Sequence, residues 1–156
     1  MLFVGANIIL GTPNEGTIFG PPSLWPEDID SILCEYNSPA CGQGQIFWEQ
    51  GVFFDIDPAA LLAFFKKESS FATDPNSSTS FTYNIGAIEC TNACYGRWQR
   101  YSTWGEGSAN WYSLMNRKYR GMTLEEQIYE YAPPYENNTE LYIEQVRLLM
   151  QQWRTR

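Results

Sequence analysis

The sequence predicts one mainly helical α+β domain, and three observations lead to this fold class. Apolar residues recur at the helical spacing of three and four in several segments, most of which open on a helix-capping signal. A stretch between them, residues 69–95, is rich in turn-forming residues and contains a short alternating run typical of a β-strand. With 156 residues, of which 44% are hydrophobic, the chain is long enough to bury a core.

The first 25 residues predict an N-terminal arm packed on the domain. They are rich in Gly, Pro, Asn and Thr and include a β-prone run at 7–10. The folded domain itself is predicted over 26–156. We assign no chemistry to the arm.

The segment from Asp57 to Glu68 predicts the central helix. Asp57 is a preferred N-cap residue, and Pro58 after it is typical of the first helical position. From that start, one apolar stripe is formed by Leu61, Phe64, Phe65 and Glu68. A carboxyl group on such a stripe is half buried, and burial raises its pKa because the charged form is disfavoured. Glu68 is therefore the candidate general acid of this sequence.

Five more segments predict helices from their periodicity and their capping or stop signals: 26–36, 43–53, 106–121, 123–133 and one that follows residues 137–139. Thr123 and Glu126 form the capping box of the fourth. The inward faces are predicted to carry Ile29, Ile32 and Leu33; Trp111, Tyr112, Met115 and Tyr119; and Tyr142, Val146, Leu149 and Trp153. After a turn signal at 74–78, residues 80–85 alternate and predict a strand of a small β-lobe.

Composition excludes several classes of function. The chain has no histidine, so a Ser-His-Asp triad, a Cys-His pair and a histidine-bearing zinc site are impossible. The net charge of −8 argues against a nucleic-acid partner. No apolar run approaches the ~20 residues of a membrane span, so we expect no membrane insertion. Acid–base chemistry falls to carboxylates, with no metal or organic cofactor, and the 16% of aromatic residues suits stacking against sugar rings.

The four cysteines are expected to form disulfides, because they lack the C-x-x-C spacing of a zinc site. Three pairings are possible. We expect the two local ones, Cys34 with Cys41 and Cys90 with Cys94, each closing a small loop. Oxidised cysteines indicate a location outside the cytoplasm. Residues 1–10 are apolar but lack the basic leader of an export signal, so we expect that a signal was removed or that another route is used.

A set of short motifs carries a resemblance to a known family. They are Asp57-Pro58-Ala59 through Glu68-Ser69-Ser70-Phe71, the segment 38–44, Gly86-Ala87-Ile88, the segment 101–104, Tyr131-Ala132-Pro133, Asn137-Asn138 and Tyr142-Ile143. In this order and spacing, from about residue 29 to residue 153, they resemble lysozyme-like peptidoglycan hydrolases, in particular secreted bacterial glucosaminidase domains of the glycoside hydrolase family 73 type.

The resemblance implies a lysozyme-like fold, with a helical lobe, a small β-hairpin lobe and a groove between them that binds the glycan strands of peptidoglycan. It implies an endo-β-N-acetylglucosaminidase, a phage lysin or bacterial autolysin, in which Glu68 protonates the leaving oxygen. A muramidase, a lytic transglycosylase, or a catalytically impaired glycan-binding or virion structural domain remains an alternative. We expect a monomer that is secreted or delivered by a phage to the cell wall.

The resemblance also suggests further site residues. Glu89 or Asp74 would be the second carboxylate, although substrate-assisted and lytic reactions need none. Tyr131 would orient water or stabilise charge near the acid, unless it is a core residue. Ala87 stands where the resemblance leads us to expect asparagine. The expected substrate-binding residues are Phe71, Asp74, Ala87, Ile88 and Asn138, with Phe71 either a packing residue or a sugar platform.

Overall fold

A computed structural model describes residues 16–156 of the chain, so the β-prone run predicted at 7–10 lies outside the described residues. The described part is mainly helical, as predicted, with one small antiparallel sheet. Its helices are α1 (Pro26–Glu35), α2 (Gly44–Phe54), α3 (Pro58–Ser69), α4 (Ser78–Thr82), α5 (Trp104–Tyr119), α6 (Leu124–Tyr131) and α7 (Thr139–Arg154). Its strands are β1 (Cys94–Tyr95) and β2 (Trp98–Gln99).

Helix α3 is the centre of the core and begins as predicted. The Asp57 carboxylate accepts a hydrogen bond from the Ala59 amide at 3.1 Å, and Pro58 occupies the first turn. Every residue from Pro58 to Phe65 is buried, so the first two turns have no exposed face. The amphipathic helix expected from the sequence is polar only in its last turn, because α7 packs on α3 and helices α1, α2 and α5 also contact it.

A buried ion pair fixes the start of α3 against the end of α7. Arg154 Nε donates to Asp57 Oδ2 at 2.8 Å, and both side chains are less than a tenth exposed. The Ser23 hydroxyl also donates to Asp57 at 2.8 Å. Residues 16–25 therefore pack on the domain, with Ile18 and Leu24 buried in the core.

The remaining predicted helices are confirmed, with small shifts at their ends. The capping box of α6 is formed, because the Glu126 amide donates to Thr123 Oγ1 and the Thr123 amide donates to Glu126 Oε2. Helix α5 begins two residues earlier than predicted, since Thr103 accepts the Glu106 amide at 3.1 Å and serves as the N-cap. Of the predicted inward residues, Leu149 is only partly buried and the others are buried.

The strand predicted at 80–85 is wrong, because this segment contains the end of helix α4. Thr79 and Thr82, three positions apart, are its buried residues, whereas Phe81 is 44% exposed. Alternation over so few residues does not distinguish a strand from one helical turn. The sheet instead forms later in the chain, where Cys94 pairs with Gln99 and Tyr95 with Trp98.

Both expected disulfides are present: Cys34–Cys41 joins the last turn of α1 to the loop after it, and Cys90–Cys94 joins the preceding loop to the first residue of β1. Each closes a short loop and fixes its two ends. Among residues 16–156, no helix combines the length and the apolar character needed to cross a lipid bilayer.

Candidate active site around Glu68

Glu68 lies in the last turn of α3, with its side chain partly buried. The hydroxyl of Tyr142 donates a hydrogen bond to Glu68 Oε1. Burial raises the pKa of Glu68 above its ordinary value, while the Tyr142 hydrogen bond and the Lys67 ammonium group act to lower it. Burial is the larger effect, so the carboxyl keeps its proton to a higher pH than an exposed glutamate does.

Glu68 borders two cavities. The larger, here called the Glu68 pocket, has a volume of about 430 Å³ and is lined by Glu68, Ile88, Trp98, Leu114, Tyr131 and their neighbours. The smaller has a volume of about 160 Å³, and its lining includes residues 77–79 and Asn84. Ala87 and Trp98 line both cavities, so an extended ligand could pass Glu68 from one to the other.

The chain makes a left-handed turn directly after Glu68. Residues 70–72 have φ values of 49°, 61° and 56°, although none is glycine. Such a conformation costs roughly 1–2 kcal/mol per residue, and strain of this kind is concentrated at functional sites. Ser38 Oγ donates to the Phe71 carbonyl at 2.9 Å, and the Ala72 amide donates to Ser69 Oγ at 3.1 Å. These bonds fix the direction in which the chain leaves α3.

Phe71 anchors this turn in the core. Its side chain is fully buried and packs against Tyr36, Phe65 and Trp153 at centroid distances of 5.2 to 5.8 Å. The expectation that Phe71 binds substrate is therefore corrected. A fully buried ring has no free face for a sugar.

The expected residues Ala87 and Ile88 do line the Glu68 pocket, and a residue absent from our sequence prediction positions them. Asn84 donates through Nδ2 to the Ile88 carbonyl at 2.8 Å and accepts the Ile88 amide through Oδ1 at 2.8 Å. Its side chain is buried, and Nδ2 also donates to the Gln99 carbonyl. The available signal was an asparagine in a turn-rich segment, where its side chain commonly bonds nearby backbone.

Tyr131 lies between the Glu68 pocket and the core. It lines the Glu68 pocket, and its hydroxyl donates a hydrogen bond to the Gly86 carbonyl. Its ring packs edge-on against Phe64 at 5.1 Å. Burial, and to a lesser degree the charge of Glu68, raises the pKa of the Tyr131 phenol well above its ordinary value. The phenol is therefore neutral and fixes the loop at Gly86 beneath the pocket.

The two candidates for a second carboxylate lie in different places. Glu89 lines the Glu68 pocket but is 72% exposed and forms an ion pair with Arg97 at 2.6 Å. Asp74 is exposed in the 74–78 turn and accepts the Asn76 amide at 2.9 Å. Asp74 lines neither cavity at Glu68. The expectation that Asp74 is the second carboxylate or a substrate-binding residue is therefore corrected. The Ser77 amide bonds the Asp74 carbonyl, which fixes this turn locally.

The end of α6 and the turn after it bring residues to the pocket that were missed. Glu130 and Glu136 line it, on either side of Tyr131-Ala132-Pro133. Glu130 is 4.0 Å from Lys118, while Glu136 has no ion pair within residues 16–156. Their position next to the motif Tyr131-Ala132-Pro133 could have indicated from the sequence that they lie near the site.

Asn138 has a structural role. Its side chain accepts the Leu141 amide at 3.2 Å and caps α7, whereas Asn137 lines the Glu68 pocket. The expectation that Asn138 binds substrate is therefore corrected by one residue. Asn138 lines neither of the two cavities at Glu68.

Tyr142 is the most informative residue that sequence analysis placed without a role at the site. The helical period predicted it on the inner face of α7, but the period does not reveal what that face contacts.

Within residues 16–156, no group of three or more His, Cys, Asp or Glu side chains is arranged to hold a metal ion. Comparison of the chain with protein-family models, with curated proteins and with solved structures finds no match.

Proposed function

We propose that this chain is a peptidoglycan hydrolase, which cleaves β-1,4 bonds of the cell-wall glycan strand with Glu68 as the general acid. The observation that carries the proposal is the environment of Glu68. Its carboxyl group is partly buried, has a raised pKa and borders two adjoining cavities. A proton held to higher pH at such a place can be passed to a leaving glycosidic oxygen.

The contacts of Glu68 also suit the step after proton transfer. When the proton leaves, the carboxylate becomes negative, and the Tyr142 hydroxyl and the Lys67 ammonium group stabilise that charge. Both groups are already in position, so little reorganisation accompanies the developing charge. The two groups that lower the pKa of Glu68 thus favour its release of the proton.

Aromatic residues in the Glu68 pocket support a sugar ligand. Trp98 and Tyr135 line it, and the Tyr135 side chain is exposed. Flat rings with polar edges stack on the apolar faces of sugars while their N–H or O–H groups bond hydroxyls. We propose a lysozyme-like arrangement, in which the glycan strand passes over Glu68 between the helical part of the protein and the segment around β1 and β2.

The second step of hydrolysis has two solutions in this pocket. A carboxylate can activate water or attack the sugar, and Glu89 and Glu136 are the candidates. Glu89 forms an ion pair with Arg97 at 2.6 Å, whereas Glu136 forms none within residues 16–156. Attack by an acetamido group of the substrate, or release of an anhydro sugar, needs no second carboxylate. An endo-β-N-acetylglucosaminidase is the leading assignment, with muramidase and lytic transglycosylase as alternatives.

A second candidate function is a glycan-binding or virion structural domain without turnover. The engagement of Glu89 by Arg97 favours it, as does alanine at position 87. The two disulfides support an oxidising location for either function. We propose that the protein is secreted or phage-delivered and acts at the cell wall, as a lysin or an autolysin in the enzymatic case.

The test is mass spectrometry of the soluble fragments released from purified peptidoglycan by wild type and by Glu68→Gln. Fragments with a reducing N-acetylglucosamine end, absent with the variant, would support the leading assignment. Reducing muramic acid or anhydro ends would support a muramidase or a lytic transglycosylase. Binding without fragments from either protein, across several wall types, would overturn the enzymatic proposal in favour of the binding domain.

A further inference from the structure

A third cavity adjoins the Glu68 pocket along the β1–β2 hairpin. It has a volume of about 610 Å³ and shares Ile88, Glu89 and Leu114 with the Glu68 pocket. We call it the Arg100 pocket, because Arg100 and Arg117 both line it. A ligand in the Glu68 pocket could therefore extend a substituent into this cavity.

The two arginines differ from the others in the chain. All seven arginines lie in the described part, and five of them form ion pairs: Arg97, Arg120, Arg147, Arg154 and Arg156. Arg100 and Arg117 are exposed and form no ion pair with any residue of 16–156. In a chain with a net charge of −8, the two unpaired guanidinium groups thus line the same cavity.

Rigid elements carry both side chains. Arg100 directly follows β2, and its amide donates to the Ala93 carbonyl at 2.7 Å, inside the loop that the Cys90–Cys94 disulfide closes. Buried Gln99 holds the same loop by accepting the Thr91 amide at 3.0 Å. Arg117 belongs to α5. The backbone positions of the two arginines are therefore fixed before any ligand arrives.

The acidic groups in this cavity already have partners. Glu89 is paired with Arg97 at 2.6 Å, and Glu106 Oε2 accepts the Ser102 amide at 2.8 Å. Neither carboxylate forms an ion pair with Arg100 or Arg117. Both guanidinium groups thus remain available to an anion. A guanidinium fork matches the two oxygens of a carboxylate and binds it through paired hydrogen bonds.

We propose that the Arg100 pocket binds a carboxylate carried by the glycan, so that the protein selects peptidoglycan over neutral glycans. This inference rests on the proposed function. Peptidoglycan bears carboxylates on its lactyl groups and stem peptides, whereas chitin of the same backbone linkage bears none. The cavity adjoins the sugar-binding pocket, so one ligand can reach both.

The test is calorimetric binding in a Glu68→Gln background, which prevents cleavage. Three ligands of equal length are compared: peptidoglycan oligosaccharides with stem peptides, the same without peptides, and chitooligosaccharide. The double variant Arg100→Gln/Arg117→Gln is measured beside Arg147→Gln/Arg156→Gln, which removes two equal charges from ion pairs elsewhere on the protein. Thermal midpoints show that each variant is folded.

The Arg100→Gln/Arg117→Gln variant is expected to bind carboxylate-bearing oligosaccharides about tenfold more weakly and chitooligosaccharide unchanged. The control variant is expected to match wild type with all three. Unchanged affinity, or an equal loss for the neutral glycan, would overturn the inference while leaving the proposed function in place. Inorganic phosphate binding that depends on both arginines, with no loss for the carboxylate ligands, would also overturn it. Failure of every glycan to bind would reject the proposed function and this inference together.

Discussion

The Tyr142 hydroxyl, on α7, donates a hydrogen bond to Oε1 of Glu68, at the end of α3. The two residues are 74 positions apart in the chain. Burial raises the pKa of Tyr142 well above its ordinary value, so its hydroxyl keeps its proton and stays a donor. Helices α3 and α7 pack extensively against each other, and this hydrogen bond joins them at the candidate catalytic group.

Replacement of Tyr142 by phenylalanine is expected to raise the pKa of Glu68 further. The hydrogen bond stabilises the charged carboxylate and lowers the pKa of Glu68. Without it, the effect of burial, which raises this pKa, is larger relative to the effects that lower it. A general acid works in its protonated form, so the alkaline limb of the kcat/KM profile is expected to move to higher pH. The measurement is that profile for wild type and Tyr142→Phe on soluble glycan fragments.

Tyr129→Phe is the matched control, because its hydroxyl bonds Glu140 on the exposed surface. Its alkaline limb is expected to coincide with that of wild type. A limb that moves to lower pH in Tyr142→Phe would contradict the assigned role of the hydrogen bond.

Glu68→Gln is expected to lower kcat by a factor of about 10² to 10⁴, the usual contribution of a general acid. It is also expected to stabilise the fold at pH 7. The folded state binds the Glu68 proton more tightly than the unfolded state, so the free energy of unfolding falls as pH rises from the ordinary pKa of 4.5 through the raised one. Glutamine does not ionise, so the variant does not undergo this fall in the free energy of unfolding.

Denaturant unfolding at pH 7 and at pH 3 measures this effect. The variant is expected to be more stable than wild type at pH 7, with the difference absent at pH 3, where Glu68 is protonated in both states. A variant less stable at pH 7 would mean that the charged carboxylate is favourably held.

Gly86→Ala is expected to reduce activity and stability, because an added Cβ would lie 2.4 Å from Trp111 Cδ1 and 2.7 Å from the Tyr131 hydroxyl. The rings are packed and cannot withdraw, so the 84–88 loop must move away from the pocket. Overpacking of this kind costs about 1–3 kcal/mol. The control is Gly105→Ala, whose Cβ would be 3.5 Å from Ile46. Thermal midpoints and fragment release together measure both variants, and equal behaviour would contradict the prediction.

Ser38→Ala is expected to destabilise the protein by about 1–3 kcal/mol, because it leaves the buried Phe71 carbonyl without its donor. The left-handed turn after Glu68 would lose one of its constraints, so catalytic rate should fall as well. Ser31→Ala, which removes an exposed hydroxyl that bonds Glu35, is the matched control. A loss of stability with unchanged turnover would show that the turn does not position Glu68.

The sequence was most informative where a local signal has one physical outcome. Asp57 and Pro58 start a helix, and Thr123 with Glu126 starts another, because capping bonds form between residues close in the chain. The strand prediction at 80–85 failed because a few alternating residues fit either period. Phe71 and Asp74 were expected at the site from the family resemblance, but the left-handed turn at residues 70–72 buries Phe71 in the core and is followed by an exposed turn that carries Asp74.

The sequence by itself determined a mainly helical domain and a carboxyl group on the inner side of its central helix, and it favoured two local disulfides among three pairings, since each depends on spacings of a few residues. Tertiary structure alone decided that Tyr142 reaches Glu68, that Asn84 holds Ile88 and that Arg100 and Arg117 line one cavity. These contacts join residues whose helices and loops meet only when the core packs. The periodicity of apolar residues predicts which face of a helix or strand is buried, whereas tertiary packing determines which residues that face contacts.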